Sequence, residues 1–164
     1  MSAEDVLVNA AERGWVAVDS EMEKSAIMDM VKVFKGALLK EIRDDDVAGA
    51  LAAVLVIRDG DVLGTGVVVV LADRALIGWM KGLLKKPVVE AVPLATITEV
   101  TRGVKEPTRR ICNPNRAIFV RAAQDWELLC ARTDIPDQPV YDLVAGLLGG
   151  TIKISDLQPV GDHA

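Results

Sequence analysis

The stretch GVVVVLADRALIGWMKG, residues 66–82, is apolar on both sides of the charged pair Asp73-Arg74. A transmembrane helix needs about 20 consecutive apolar residues, and the run before this pair has roughly half of that length. Two short apolar runs joined by a charged pair instead predict two adjacent antiparallel strands with a turn between them. The stretch therefore indicates a β-rich domain and not a membrane span.

The chain on either side of this stretch has the same sequence pattern. Short apolar segments alternate with turn residues, and Asp59-Gly60 is a strong hairpin signal. Short strands at regular spacing favour an antiparallel barrel or sandwich. The predicted strands are residues 51–57, 62–71, 75–80, 88–92, 97–103, 117–122 and 127–132.

Helical patterns flank the predicted strands. Ser20 and Glu23 have capping-box spacing, and the apolar residues that follow recur every three to four positions, which predicts a helix over 21–43. A second amphipathic pattern from Val140 to Leu148 ends at Gly149-Gly150. The predicted organisation is a helical extension (1–46), a β-rich domain with a terminal helix (47–150), and a tail (151–164) that begins with a short strand at 151–154 and is otherwise disordered.

Seven strands followed by one helix is the element order of the pleckstrin-homology superfold, and the sequence resembles the bacterial PH-like domains of the YokE-like type. The resemblance spans roughly residues 51–148 and departs from the usual turn at Ala72 and Ala75. It implies an α+β fold, in which a seven-stranded antiparallel barrel of two near-orthogonal sheets is capped by the C-terminal helix. The stretches that carry the resemblance are Val67 to Ile77 with its Asp73-Arg74 turn, Lys81-Gly82-Leu83-Leu84-Lys85-Lys86, and Pro93-Leu94 to Ile97.

Residues that commonly carry chemistry are few in this chain. The single histidine, His163, is next to the C-terminus, and Cys112 and Cys130 lack the CxxC spacing of a metal or redox motif. We therefore predict no enzyme activity, no cofactor and no metal, and two free thiols in a reducing, cytoplasmic setting. A net charge of −5 predicts no binding to nucleic acid.

The first candidate interaction surface is the loop after the opening stretch. It places leucines among lysines, a composition that suits weak contact with an anionic membrane. The same leucines could instead pack under the N-terminal helix or against a neighbouring subunit. The residues of this loop are Lys81, Leu83, Leu84, Lys85 and Lys86.

The second candidate surface is the apolar face of helix 21–43, which must pack against another apolar surface. It could cap the barrel or pair with a second copy of the chain, and strand addition at a sheet edge, with residues 151–154 as one strand, is a third mode of association. The residues of the helix face are Ile27, Met30, Val31, Phe34 and Leu38.

From these patterns we predict a non-catalytic PH-like interaction module that binds a second copy of itself or another protein. The alternative is a peripheral binder of anionic lipid through the loop of residues 81–86. A barrel that binds a small ligand or catalyses a reaction stays open as a third hypothesis, because it depends on an apolar pocket that a sequence does not reveal.

Overall fold

A computed structural model describes seven strands, two α-helical segments and, between the fourth and fifth strands, a short 3-10 helix (Leu94–Thr96). The helical residues between 32 and 41 form α1, and the strands and the second helix follow in chain order. They are β1 (Gly49–Arg58), β2 (Asp61–Val70), β3 (Arg74–Lys81), β4 (Lys86–Pro93), β5 (Glu99–Arg102), β6 (Ala117–Arg121), β7 (Asp125–Cys130) and α2 (Pro139–Gly149). The described residues are 32–34, 36–38, 40–42, 48–83, 86–103, 117–130 and 139–153.

The seven strands form one antiparallel sheet in the order β4-β3-β2-β1-β7-β6-β5. The predicted α+β class, the seven antiparallel strands and the C-terminal helix are thus confirmed. The predicted barrel is not confirmed, because the sheet ends at β4 and at β5 and is not closed. The edge strands account for this, because β4 contains Pro87 and Pro93, which lack an N–H, and β5 has only four residues.

The opening stretch forms β2, a turn and β3, as predicted. Val70 pairs with Ala75, and the Leu71 N–H donates to the Arg74 carbonyl oxygen at 2.8 Å. Every residue from Val67 to Leu71 is buried. The stretch lacks polar alternation because both faces of the sheet are covered at this place.

One helix covers each face of the sheet around β2. On one face α2 packs over Gly49, where an added Cβ would lie 3.1 Å from a Leu147 methyl carbon. On the opposite face α1 packs over Gly78, where an added Cβ would lie 3.0 Å from the Phe34 ring. Because each glycine lacks a side chain, a helix packs closely against the sheet at that position.

The predicted N-terminal helix is confirmed over its described residues, and residues 21–31 lie outside them. Phe34, Leu38 and Ile42 are buried at intervals of four and belong to the main hydrophobic core. The Arg74 guanidinium donates a hydrogen bond to the carbonyl oxygen of Glu41, at the C-terminal end of α1. A cation at this end of a helix satisfies a free carbonyl and interacts favourably with the helix dipole.

Candidate interaction surfaces

Among the described residues, no three His, Cys, Asp or Glu side chains lie close enough together to hold a metal ion. The helices in this part of the chain are too short or too polar to cross a membrane. His163 and Cys112 lie outside the described residues. The predicted lack of enzyme activity, cofactor and metal therefore stays a prediction.

An open cleft lies between the edge strand β5 and helix α2. Its volume is about 330 Å³, which is within the range of ligand-binding clefts. The strand, the helix and the first residues of the tail each form one part of its wall. The lining residues are Val100, Arg102, Asp142, Ala145, Gly146, Gly149, Thr151 and Ile152.

Two contacts set the position of α2 along β5. At one end a Cβ added to Gly149 would lie 3.4 Å from the Val100 Cβ, so the helix lies against the strand there. At the other end the Arg102 Nε lies 3.1 Å from the Asp142 Oδ1. The helix therefore runs in the direction opposite to β5, and the cleft opens between these two contacts.

The third wall of the cleft is the chain that leaves α2. Gly150 adopts a left-handed conformation (φ +77°), which ends the helix as Gly149-Gly150 predicted. The chain then turns back, and both the Ile152 N–H, at 3.1 Å, and the Thr151 hydroxyl, at 3.4 Å, donate to the Gly146 carbonyl oxygen. Residues 151 and 152 form a bend and residue 153 has no regular secondary structure, so the strand predicted for 151–154 is absent over 151–153, and residue 154 lies outside the described residues.

Gly146 lies where the tail turns back onto the helix. A Cβ added there would lie 2.5 Å from the Ile152 Cδ1, so the isoleucine side chain occupies the space that any other residue would need. The sequence analysis did not find the cleft. A glycine inside an amphipathic helix is the signal that points to it, because such a position usually has a packing reason.

The edge of β5 is open beside the cleft. Within the described part of the chain β5 pairs with β6 alone, with Thr101 opposite Phe119, and the Gly103 N–H donates to the Ala117 carbonyl oxygen. Alternate residues of an antiparallel strand direct their backbone groups to the same neighbour. The N–H and C=O of Val100 therefore point away from β6.

The loop of residues 81–86 is a hairpin between β3 and β4. Leu83 is fully exposed at its tip, with a relative accessibility of 103%, and Lys81 and Lys86 are exposed on either side. Leu84 and Lys85 lie outside the described residues. Leu83 therefore does not pack under α1, which was one of the alternatives for this loop.

The predicted helix interface is only partly described. Phe34 and Leu38 are buried against the chain's own sheet, whereas Ile27, Met30 and Val31 lie outside the described residues. The described part of this face is thus used within one molecule, as the capping alternative expects. Its use between copies of the chain stays a prediction.

A charged and aromatic cluster spans the sheet face on which α2 packs. The Arg58 Nη1 lies 2.7 Å from the Glu90 Oε2, and its guanidinium carbon lies 5.5 Å and 5.7 Å from the ring centres of Trp79 and Trp126. The ion pair joins β1 to β4 across the intervening strands. This cluster was not predicted from the sequence.

The comparison of this chain with protein families, with curated proteins and with solved structures finds no match.

Proposed function

We propose that this chain is a non-catalytic interaction module that binds an extended segment of a protein along β5, in the cleft against α2. We further propose that its fold is PH-like. The order of seven antiparallel strands and one helix supports this assignment, although the sheet is open. The partner is either another protein or a second copy of this chain.

The observation that carries the proposal is the open edge of β5 beside a cleft. A segment added next to β5 would form main-chain hydrogen bonds with Val100, and its side chains would enter the cleft alternately. On the helix wall, the short side chain of Ala145 leaves room for them. Main-chain bonds would give affinity, and the cleft would give selectivity.

The other edge strand, β4, is a poor site for docking of an extended segment. Pro87 and Pro93 remove two donors from β4, and Lys86 places a charge at its start. Proline and lysine are common devices that protect an edge strand from pairing. The contrast between the two edges favours β5 as the docking strand.

The test is selection of binding peptides from a displayed random library with the full chain. We expect the selected peptides to bind the wild type and an Ala91→Trp control, in which the tryptophan replaces an exposed alanine of β4. Ala145→Trp places the same side chain in the cleft and should weaken binding at least tenfold. Equal binding to all three proteins would exclude the cleft.

The two classes of partner are distinguished by light scattering of the full chain over a range of concentrations. A mass that rises with concentration in the wild type, and does not in Ala145→Trp, identifies a second copy as the partner. A constant monomer mass together with peptide binding identifies another protein.

The hairpin tip supports a second candidate function, which is contact with an anionic membrane. Leu83 is fully exposed between Lys81 and Lys86, and an exposed leucine flanked by lysines has the composition of a tip that inserts among anionic head groups. Each lysine near such a surface contributes about 1 kcal/mol, and salt reduces this contribution.

Sedimentation with vesicles of phosphatidylserine and phosphatidylcholine tests the second candidate. Leu83→Asp should lower the bound fraction severalfold, whereas Val33→Asp on α1, another exposed apolar residue, should not change it. Binding that is the same for Leu83→Asp and the wild type would rule out this function and leave the cleft proposal intact.

A further inference from the structure

We propose that the β5–α2 cleft selects a basic segment of another protein, in which Lys or Arg stands two residues before an aliphatic residue. This inference rests on the proposed function, because it names the chemistry of the partner for the same cleft. The observation that carries it is the exposed carboxylate of Asp142, which lines the cleft at the end away from Gly149.

The two charged groups at this end of the cleft are not equally accessible. The Asp142 side chain is 70% exposed, whereas the side chain of its partner Arg102 is 25% exposed. The guanidinium already has partners, because Nε lies 3.1 Å from the Asp142 Oδ1 and Nη1 donates to the Ala117 carbonyl oxygen at 3.3 Å. The group that an arriving segment meets here is therefore the carboxylate.

The Asp142 carboxylate has room for a further donor. A carboxylate has two acceptor oxygens with about four lone-pair positions, and the contact with Arg102 is made at Oδ1. A hydrogen bond between a cationic donor and a carboxylate is stronger than one between neutral groups. Lysine or arginine is thus a better neighbour for Asp142 than a neutral or an acidic residue.

The rest of the cleft has an aliphatic lining. Val100, Ala145 and Ile152 come from the strand, the helix and the tail, and all three are half-buried. An aliphatic side chain that covers them removes apolar surface from water on both sides of the contact. The residue of the segment that lies beside Val100 should therefore be aliphatic.

The geometry of strand addition sets the spacing of the two residues. Val100 and Arg102 are two positions apart in β5, so their side chains share the face that lines the cleft. Every strand pair of the sheet is antiparallel, and we expect an added strand to follow this pattern. In an antiparallel pair, the residue beside Arg102 and Asp142 comes two positions before the residue beside Val100.

The charge of the whole chain acts in the same direction. A net charge of −5 attracts a basic segment and opposes the approach of a second copy. Charges of this kind raise the association rate and make it sensitive to salt. The charge therefore favours another protein over a second copy as the partner.

The test is selection of displayed random peptides on the full chain and on Asp142→Asn. Peptides selected on the wild type should carry Lys or Arg two residues before an aliphatic residue. Replacing that basic residue by Glu, or moving it by one position to the opposite side of the segment, should weaken binding about fivefold in low salt.

Three variants of the chain locate the origin of this preference. On Asp142→Asn the same changes to the peptide should weaken binding less than about twofold, whereas Asp142→Glu should retain the preference. Asp61→Asn is the matched control, because it removes an exposed carboxylate at the β1–β2 hairpin. It should retain the full preference, since net charge alone does not fix the spacing.

The outcomes separate this inference from the proposed function. Peptides that Ala145→Trp excludes, but that lack the spaced basic residue or keep their preference for it on Asp142→Asn, would overturn the inference and leave the docking function intact. Self-association of the wild type that Ala145→Trp abolishes would do the same. A selection that yields no peptide sensitive to Ala145→Trp would overturn both.

Discussion

At Gly66 the backbone of β2 lies close to the backbone of β3. A Cβ added there would lie 1.7 Å from the carbonyl oxygen of Gly78 and 2.6 Å from its carbon. Both atoms belong to the backbone and cannot rotate away. Gly64, two residues earlier in β2, has φ +140°, a conformation that favours glycine.

Gly66→Ala should therefore destabilise the fold. The two strands must move apart, and overpacking of this kind costs about 1–3 kcal/mol. Gly36→Ala is the control, because a Cβ at this exposed helical position would have no neighbour within 4 Å. It should raise stability by about 0.5–1 kcal/mol. Urea unfolding measures both, and a Gly66→Ala midpoint equal to that of the wild type would contradict the close approach.

The Arg58–Glu90 pair is the second feature that belongs to single residues. Both side chains are about one-third exposed, at 31% and 37%. A double-mutant cycle with Arg58→Met and Glu90→Gln should give a coupling free energy of about 0.5–1 kcal/mol, since solvent screens the pair. The coupling should fall in 1 M salt. A coupling near zero in low salt would mean that the guanidinium is held by the tryptophan rings alone.

At the scale of elements, local signals predicted most of what is observed. The turns at Asp59-Gly60 and Asp73-Arg74 are encoded in neighbouring residues, so the strands around them could be predicted. Closure of the sheet depends on whether two distant strands meet, and the pattern of a single strand does not contain that information. The cleft was missed for the same reason, because the role of Gly146 depends on a tail that turns back onto the helix.

The docking of α1 gives a prediction for a whole element. The apolar face of this helix was predicted, but its target, the sheet face at Gly78, became evident only from the structure. Phe34→Ala should lower the free energy of unfolding by about 3 kcal/mol, because the ring is fully buried. Val33→Ala, at an exposed position of the same helix, should change it by less than about 0.5 kcal/mol. Equal effects in urea unfolding would mean that α1 is not docked.

At the scale of the whole molecule, the position of a strand in the sheet predicts how easily that strand opens locally. β1 lies at the centre of the sheet, where it pairs with β2 and β7, and it contacts α2 through Gly49. β5 lies at one end with four residues and a single neighbour among the described strands. Strands with few buried contacts open at a lower free energy than the global one.

Native-state hydrogen exchange should therefore separate the strands. We expect the amides of Val54 and Val56 in β1 to exchange only through global unfolding, and to follow the urea dependence of the whole fold. The Thr101 amide, which faces β6, should exchange through a local opening with little urea dependence. Because the Thr101 N–H points to β6 and the Val100 N–H points away from it, a peptide bound at the β5 edge should slow exchange of Val100 more than that of Thr101. Exchange of Thr101 at the global rate would show instead that the β5 edge is as firmly held as the centre, and a partner would then need no ordering of that edge before it binds.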